Sequence, residues 1–325
     1  MASSLLDQIA QRRPGICLYG FAPPKRSTAP DQLAQIAAQQ MERLRALDID
    51  GVIVYDIQEE AERTSQPRPF PFLPTFSPAE YAHVHLGSLT LPKIVYRCVA
   101  GDTRESFVDW VQAAERQHSL SVLVGAPSRH AAVGLSLREA YALIAAHAPG
   151  LMLGGITIAE RHDQRQDEHE RILAKTAAGC RFFVSQAVYD VTSTLSLLSD
   201  YTLSLRDKDT KPLPIVLTFS PCGSLKTLAF MKWLGIRFPR WLENELRFAA
   251  DPLETSLRLC ERIFLEVWSY ARDKGVPLGV NIESVSIRKA EIDASVWLTQ
   301  TLRGHMLRSL ASERAAEALH PRPAR

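Results

Sequence analysis

Eight short apolar runs, separated by polar or helical stretches, constrain this chain more than any other feature. They are ICLYGF (16–21), DGVIVYDI (50–57), KIVYRCV (93–99), SLSVLVGA (119–126), LMLGGITI (151–158), the run Phe182–Phe183–Val184, PIVLTFS (214–220) and PLGVNIE (277–283). Between the first two, DQLAQIAAQQMERLRAL (31–47) carries apolar residues at three- and four-residue steps, the period of a helix. Helical patterns recur in RESFVDWVQAAERQ, SLREAYALIAAHA and DEHERILAKTAAG, in two segments within 223–247, and over 252–274. A short helix fits PAEYAHVHLG, and the helix after the sixth run is the least clearly marked. Eight strands alternating with helices predict an α/β chain folded as a (β/α)8 TIM barrel. The runs are apolar almost throughout, as parallel strands covered on both faces must be. No GxGxxG follows the first run, which argues against a dinucleotide-binding open sheet. No internal linker interrupts the pattern, so residues 1–305 read as one barrel domain and 306–325 as a frayed helix and loosely ordered tail. The Pro-rich stretch 59–76 predicts a stiff, extended loop.

Bulk properties narrow the function classes. Lys and Arg number 38 against 36 Asp and Glu, for a net charge of +2, which offers no surface for nucleic acid or a membrane. No apolar run reaches membrane-spanning length, and MASSLLDQIAQRRPG lacks the apolar core of a secretion signal. Five scattered cysteines without a CxxC spacing fit buried thiols in a reducing cytoplasm. No metal site is expected, and the homo-oligomeric state stays open.

Barrel enzymes gather their active residues at the carboxyl ends of the strands. Here those ends supply Tyr19 and Gly20, Tyr55 and Asp56, Arg97, Gly125, Glu160 and His162, Gln186, Ser220, and Asn281 with Glu283. Gln186 ends an otherwise apolar strand, where a loop-facing amide is the ordinary explanation.

ITIAERH, followed by DEHERILAKTAAGCRFFVSQAVYD, resembles the methylenetetrahydrofolate reductase family, with its Y-P-E-x-H motif, a helix ending K-x-x-x-G and a strand ending T-Q-x-x-x-D. Glu160, His162, Lys175, Gly179, Gln186 and Asp190 match those positions, while the Tyr and Pro of the first motif are replaced. YGFAPPK is similar to the family's E-F-F-P-P-R, and the stretch from PIVLTFSPCG to FPRWL to its seventh-strand region. The resemblance spans about residues 15–285 and is strongest over 155–245. It implies a reduced folate as the small-molecule partner, with Gln186 hydrogen-bonding the pterin; Tyr19, Tyr55 and Asn281, by their strand-end positions, are the further candidate substrate-binding residues, packing being the alternative for the two tyrosines. An amide suits such a ring, because it offers a donor and an acceptor side by side. Glu160, His162, Glu168 and Lys175 become the expected cofactor-binding residues, for NAD(P)H acting directly or through FAD.

Departures from the family bear on the chemistry. Gly20 stands where the family carries its catalytic Glu, Ala126 where it carries an Asp near flavin and folate, and Val95–Tyr96–Arg97 lacks its third-strand His. PLGVNIESV is similar to the P-L-G-V-H-L-E of a flavin-independent branch, in keeping with the lost flavin contacts. A replacement general acid is then expected at Asp56 or Glu283, since a carboxyl in a water-poor mouth has a raised pKa. Glu59, Glu60 and Glu62 in the following loop are further carboxylates. Two function classes stay open: a reductase-type oxidoreductase passing hydride to methylenetetrahydrofolate, and a folate-binding or methyl-transfer protein on the same barrel without that activity.

Overall fold

A computed structural model describes residues 4–59, 67–126, 133–206 and 210–319. Eight parallel strands close into a barrel in sequence order: β1 (Cys17–Phe21), β2 (Gly51–Val54), β3 (Lys93–Cys98), β4 (Leu120–Val124), β5 (Met152–Thr157), β6 (Phe182–Ala187), β7 (Ile215–Phe219) and β8 (Leu278–Glu283). The closing pair, β1 with β8, sets Leu18 beside Asn281 and Gly20 beside Glu283. The chain is therefore a (β/α)8 barrel, as the alternation of runs predicts.

Helices surround it: α1 (Leu5–Ala10), α2 (Pro30–Arg45), the short α3 (Pro78–Glu80), α4 (Arg104–Arg116), α5 (Leu137–His147), α6 (Ala159–Arg165), α7 (Glu168–Ala177), α8 (Val191–Arg206), α9 (Leu225–Trp233), α10 (Arg240–Phe248), α11 (Pro252–Asp273) and α12 (Lys289–Leu319). Their starts are written locally. Ser4, Thr103 and Ser136 each accept a hydrogen bond from the backbone N–H three residues on in a reciprocal capping box. Pro30 opens α2, and Asp251 with Pro252 opens α11. Gly179, at a φ of +110°, follows the end of α7 and turns the chain into β6.

Strand residues alternate between two cores. Leu18, Ile53, Ile94, Tyr96, Leu120, Val122, Phe182, Val184 and Val216 fill the barrel, and Leu5 and Ile9 of α1 join them. Leu5 lies against Gly51 at the start of β2, so α1 plugs the amino end. The intervening residues, among them Cys17, Tyr19, Val52, Val54, Leu217, Phe219 and Ile282, belong to the larger core beneath the helices. All five cysteines are free and buried.

The C-terminal stretch read as a frayed helix and tail continues α12 as far as Leu319, packed rather than frayed. Met306 is fully buried, Trp268 Nε1 donates to Ser309 Oγ at 3.0 Å, and Arg272 pairs with Glu313. These contacts come from α11 and are invisible in the tail's own composition. The described part of the Pro-rich loop pairs Lys25 with Thr75 in an antiparallel bridge, and Arg26 N–H donates to Pro74 O. No helix among the described residues is long and apolar enough to cross a membrane.

Candidate functional site

The carboxyl ends of β7, β8 and β2 bring together a connected set of polar side chains. Thr218 Oγ1 donates to Ser185 O at 2.8 Å, so its lone pairs are left to accept. Asn281 Nδ2 meets that hydroxyl at 3.2 Å and donates to Tyr55 Oη at 2.8 Å. The Tyr55 hydroxyl neighbours the Glu283 carboxyl and favours its charged form. The Oδ1 of the Asn281 amide is buried with no partner among the described residues. Tyr55 also meets Tyr96 edge to face, ring centroids 5.0 Å apart.

Burial governs the charges. Glu283 retains partial solvent access, yet the barrel rim desolvates its carboxyl and pushes its pKa up to about 7, opposed by the Tyr55 hydrogen bond. Burial, then the neighbouring Glu283 charge, holds the Tyr55 hydroxyl well above the usual phenol range, and burial does the same for Tyr96. Both tyrosines are therefore neutral donors near pH 7, while Glu283 is poised between its two forms.

Gly20 makes this arrangement possible. A Cβ at position 20 would lie 2.8 Å from Tyr55 Cε2 and from its hydroxyl, and 3.0 Å from Asn281 Oδ1. The space a first-strand side chain would enter is taken by the second strand's tyrosine.

Other expected residues fall elsewhere. Asp56 accepts from Cys98 N–H at 2.7 Å and from Gln58 Nε2 at 2.6 Å, tying the end of β2 to β3. Burial raises its pKa, and these two hydrogen bonds oppose the rise. Gln186 donates through Nε2 to Leu234 O at 2.8 Å, at the end of α9. Tyr19 faces outward, its hydroxyl 2.6 Å from Ser295 Oγ on α12. It alternates with Gly20, so one of the two must leave the barrel interior. Glu59 is exposed, and Glu60 and Glu62 lie outside the described residues.

The four expected cofactor residues sit on the flank formed by α6, α7 and α8. Glu168 is fully buried and accepts from Ile158 N–H at 2.9 Å, while Lys175 donates to Ile156 O. Burial lowers the Lys175 pKa, against the nearby Glu168 charge. Both residues brace the end of β5. Glu160 is 8% exposed, and burial raises its pKa to about 7, with Asp190 adding to the rise and Arg237 opposing it. Asp190 caps α8 through Ser193, and Arg237 reaches both Asp163 and Asp190. His162 Nε2 lies 3.0 Å from Asp200 Oδ2. Thr218 is the site residue that sequence reading passes over. Its signal was available, since it shares strand parity with Ser220 at the end of the seventh run.

Fold and site define a (β/α)8-barrel protein whose mouth carries a desolvated carboxyl on a tyrosine–asparagine scaffold. A solved protein from Clostridium thermocellum that binds two copies of 5-methyl-5,6,7,8-tetrahydrofolic acid is 41% identical to it, with a TM-score of 0.83 over 94% of this chain and 100% of that one. The chain belongs to the same family as that protein. A 2,3-dimethylmalate lyase of the PEP mutase/isocitrate lyase superfamily is far more distant, at 11% identity and a TM-score of 0.43 over 94% of this chain and 97% of that one. No family model matches the chain. No curated protein matches it either.

Proposed function

We propose that this protein binds a reduced folate, with 5-methyltetrahydrofolate as the favoured form and the pterin ring at the barrel mouth. The observation that carries the reading is the 41% identity, across the whole length of the relative, to a protein that binds this compound. The mouth supplies chemistry that suits it. A pterin presents a ring N–H and an amino group side by side, and an ionised carboxylate accepts both. Glu283 is the carboxylate in place, and Tyr55 beside it favours its charged form. Asn281 Oδ1 adds an acceptor with no donor among the described residues. Tyr96 and Tyr55 supply aromatic surface for a flat ring.

A second reading keeps the methylenetetrahydrofolate reductase resemblance at the level of activity: hydride from NAD(P)H would reach the methylene carbon of a folate. One observation favours it. Glu283 lies in register with Gly20 across β1 and β8, and a carboxyl with a pKa of about 7 can act as a general acid near neutrality. Binding without reduction remains the preferred reading. The named ligand of the relative already carries the methyl group that such a reduction would create, and Gly20 with Ala126 leaves two of the reductase family's acidic positions empty of acid.

Calorimetric titration of the purified protein with 5-methyltetrahydrofolate tests the first reading. Saturable binding that Glu283→Gln weakens at least tenfold is expected, and no measurable affinity would overturn it. NAD(P)H oxidation with methylenetetrahydrofolate, recorded beside the protein's own absorption spectrum, tests the second. A colourless protein without turnover is expected. Turnover would move the assignment to the reductase, flavin-dependent if the protein is yellow.

A further inference from the structure

The flank of the barrel holds a group of side chains that folate binding at the mouth does not use. One ring nitrogen of His162, one of His169 and a carboxylate oxygen of Asp200 all lie within 4.8 Å of one another. They come from three successive helices, α6, α7 and α8. Gln166 closes α6 in the left-handed conformation, at a φ of 56°, an uncommon one for a residue with a Cβ. That turn reverses the chain, so that His169 on α7 meets His162 edge to face with ring centroids 5.3 Å apart. His162 is 2% exposed, and the Nδ1 atoms of both histidines are buried without a partner among the described residues. His162 and Asp200 line a cleft of about 420 Å³, together with Asp163, Gln166, Leu195 and Ser199.

We propose that His162, His169 and Asp200 form a binding site for a divalent cation of the zinc class. Two imidazoles and one carboxylate are the donor set that such borderline cations select over magnesium or calcium, which prefer all-oxygen sites. Around a tetrahedral ion with bonds of about 2.0–2.2 Å, donor atoms sit roughly 3.3–3.6 Å apart. His162 Nε2 and Asp200 Oδ2 are already 3.0 Å apart, and the whole set needs only small side-chain rotations to close. The cation takes the place of the proton that His162 shares with Asp200. His162 is fixed by burial, while His169 and Asp200 keep partial solvent access and can adjust. Three protein ligands leave a fourth position facing the cleft, the pattern of a site that holds water or a small ligand on its metal.

The test uses the full-length protein, stripped with a chelator and titrated with Zn²⁺. One Zn²⁺ per chain with submicromolar affinity is expected, and Co²⁺ in its place should give the visible d–d bands of a low-coordinate site. His169→Gln and Asp200→Asn alter partly exposed side chains, so folding should survive; circular dichroism and 5-methyltetrahydrofolate affinity report that directly. Each substitution should weaken Zn²⁺ at least tenfold. Absence of stoichiometric Zn²⁺ binding, or binding that both variants retain unchanged, would overturn the proposal.

Discussion

Gly20 and Tyr55 share one volume: the Cβ that any other residue would bring to position 20 falls 2.8 Å from the ring and the hydroxyl of Tyr55. Sequence alone presents Gly20 as a deletion, the loss of an acid from the first strand. In the folded barrel it is an exchange. The phenol of the second strand occupies that space and takes a hydrogen bond from Asn281. Across the closing strand pair, the residue in register with Gly20 is Glu283, so a carboxyl stands one strand over, on β8.

Gly20→Ala should therefore be destabilising although alanine suits a strand. The added methyl can be accommodated only if Tyr55 and Asn281 move, and overpacking of this kind typically costs about 1–3 kcal/mol. Urea unfolding of the two proteins measures it. An unchanged midpoint would mean the Tyr55 ring is free to swing away, and the shared-volume account would fail. Folate affinity should fall with stability, because the same displacement disturbs the Asn281–Tyr55 hydrogen bond beside Glu283.

Glu283 predicts a pH dependence of binding. If the ionised carboxylate accepts from the pterin, affinity is full above pH 7 and declines as pH drops through the Glu283 pKa of about 7. The limiting slope is about tenfold per pH unit for one proton. Titrations from pH 5.5 to 8.5 should show that bend, and Glu283→Gln should flatten it at the low-affinity level. A profile rising toward low pH would instead mean that the protonated acid is the binding form, as a general acid requires.

Glu160 predicts a pH dependence of stability, with a sign opposite to that of a salt-bridged carboxylate. Its folded pKa of about 7 lies above the ordinary carboxyl value of 4.5, so between those values the native state holds a proton that the unfolded chain has released. Stability is full below about pH 4.5 and is lost as pH rises toward 7. The contribution is of order 3 kcal/mol for a shift of this size. Glu160→Gln should unfold at higher denaturant than the parent at pH 8 and differ little from it at pH 4.5. Equal midpoints at pH 8 would show that Arg237 keeps Glu160 ionised at no net cost.

The barrel and its strand order were readable because parallel strands buried on both faces leave continuous apolar runs, and eight of them exhaust the pattern. Tyr55, Asn281 and Glu283 were also within reach, since strand ends are fixed by those runs. Other roles were not. Whether Tyr19 or Gly20 faces inward depends on strand parity, and a single tyrosine reads the same on either face. Gln186 reads as a ligand-facing amide, and the hydrogen bond its Nε2 gives to the Leu234 carbonyl, 48 positions away, is unforeseeable locally. Glu168 and Lys175 looked like a charged face of α7 or a cofactor contact. Glu168 is buried and Lys175 half-buried, each hydrogen-bonded to backbone at the end of β5, a tertiary demand that helical periodicity does not encode.

The Pro-rich loop supplies the last prediction. Its residues 67–76 contact α9 and then the loop that follows β1. Arg68 lies over the rings of Phe72, Phe230 and Trp233, with its guanidinium carbon 4.8 Å from the Trp233 centroid. Farther along, Phe76 N–H donates to Pro24 O at 2.9 Å. The segment is thus held at both ends, against α9 and against the loop after β1, and its proline content lowers the entropy lost on holding that path. A guanidinium stacked on aromatic faces contributes roughly 0.5–2 kcal/mol. Arg68→Ala should release the α9 end of the strap while leaving the barrel core intact. The expected result is faster proteolytic cleavage within 67–76 and folate dissociation several-fold faster, with an unfolding midpoint close to the parent's. Stopped-flow displacement of bound 5-methyltetrahydrofolate measures the second effect, and an unaltered dissociation rate would show that the strap does not retain the ligand.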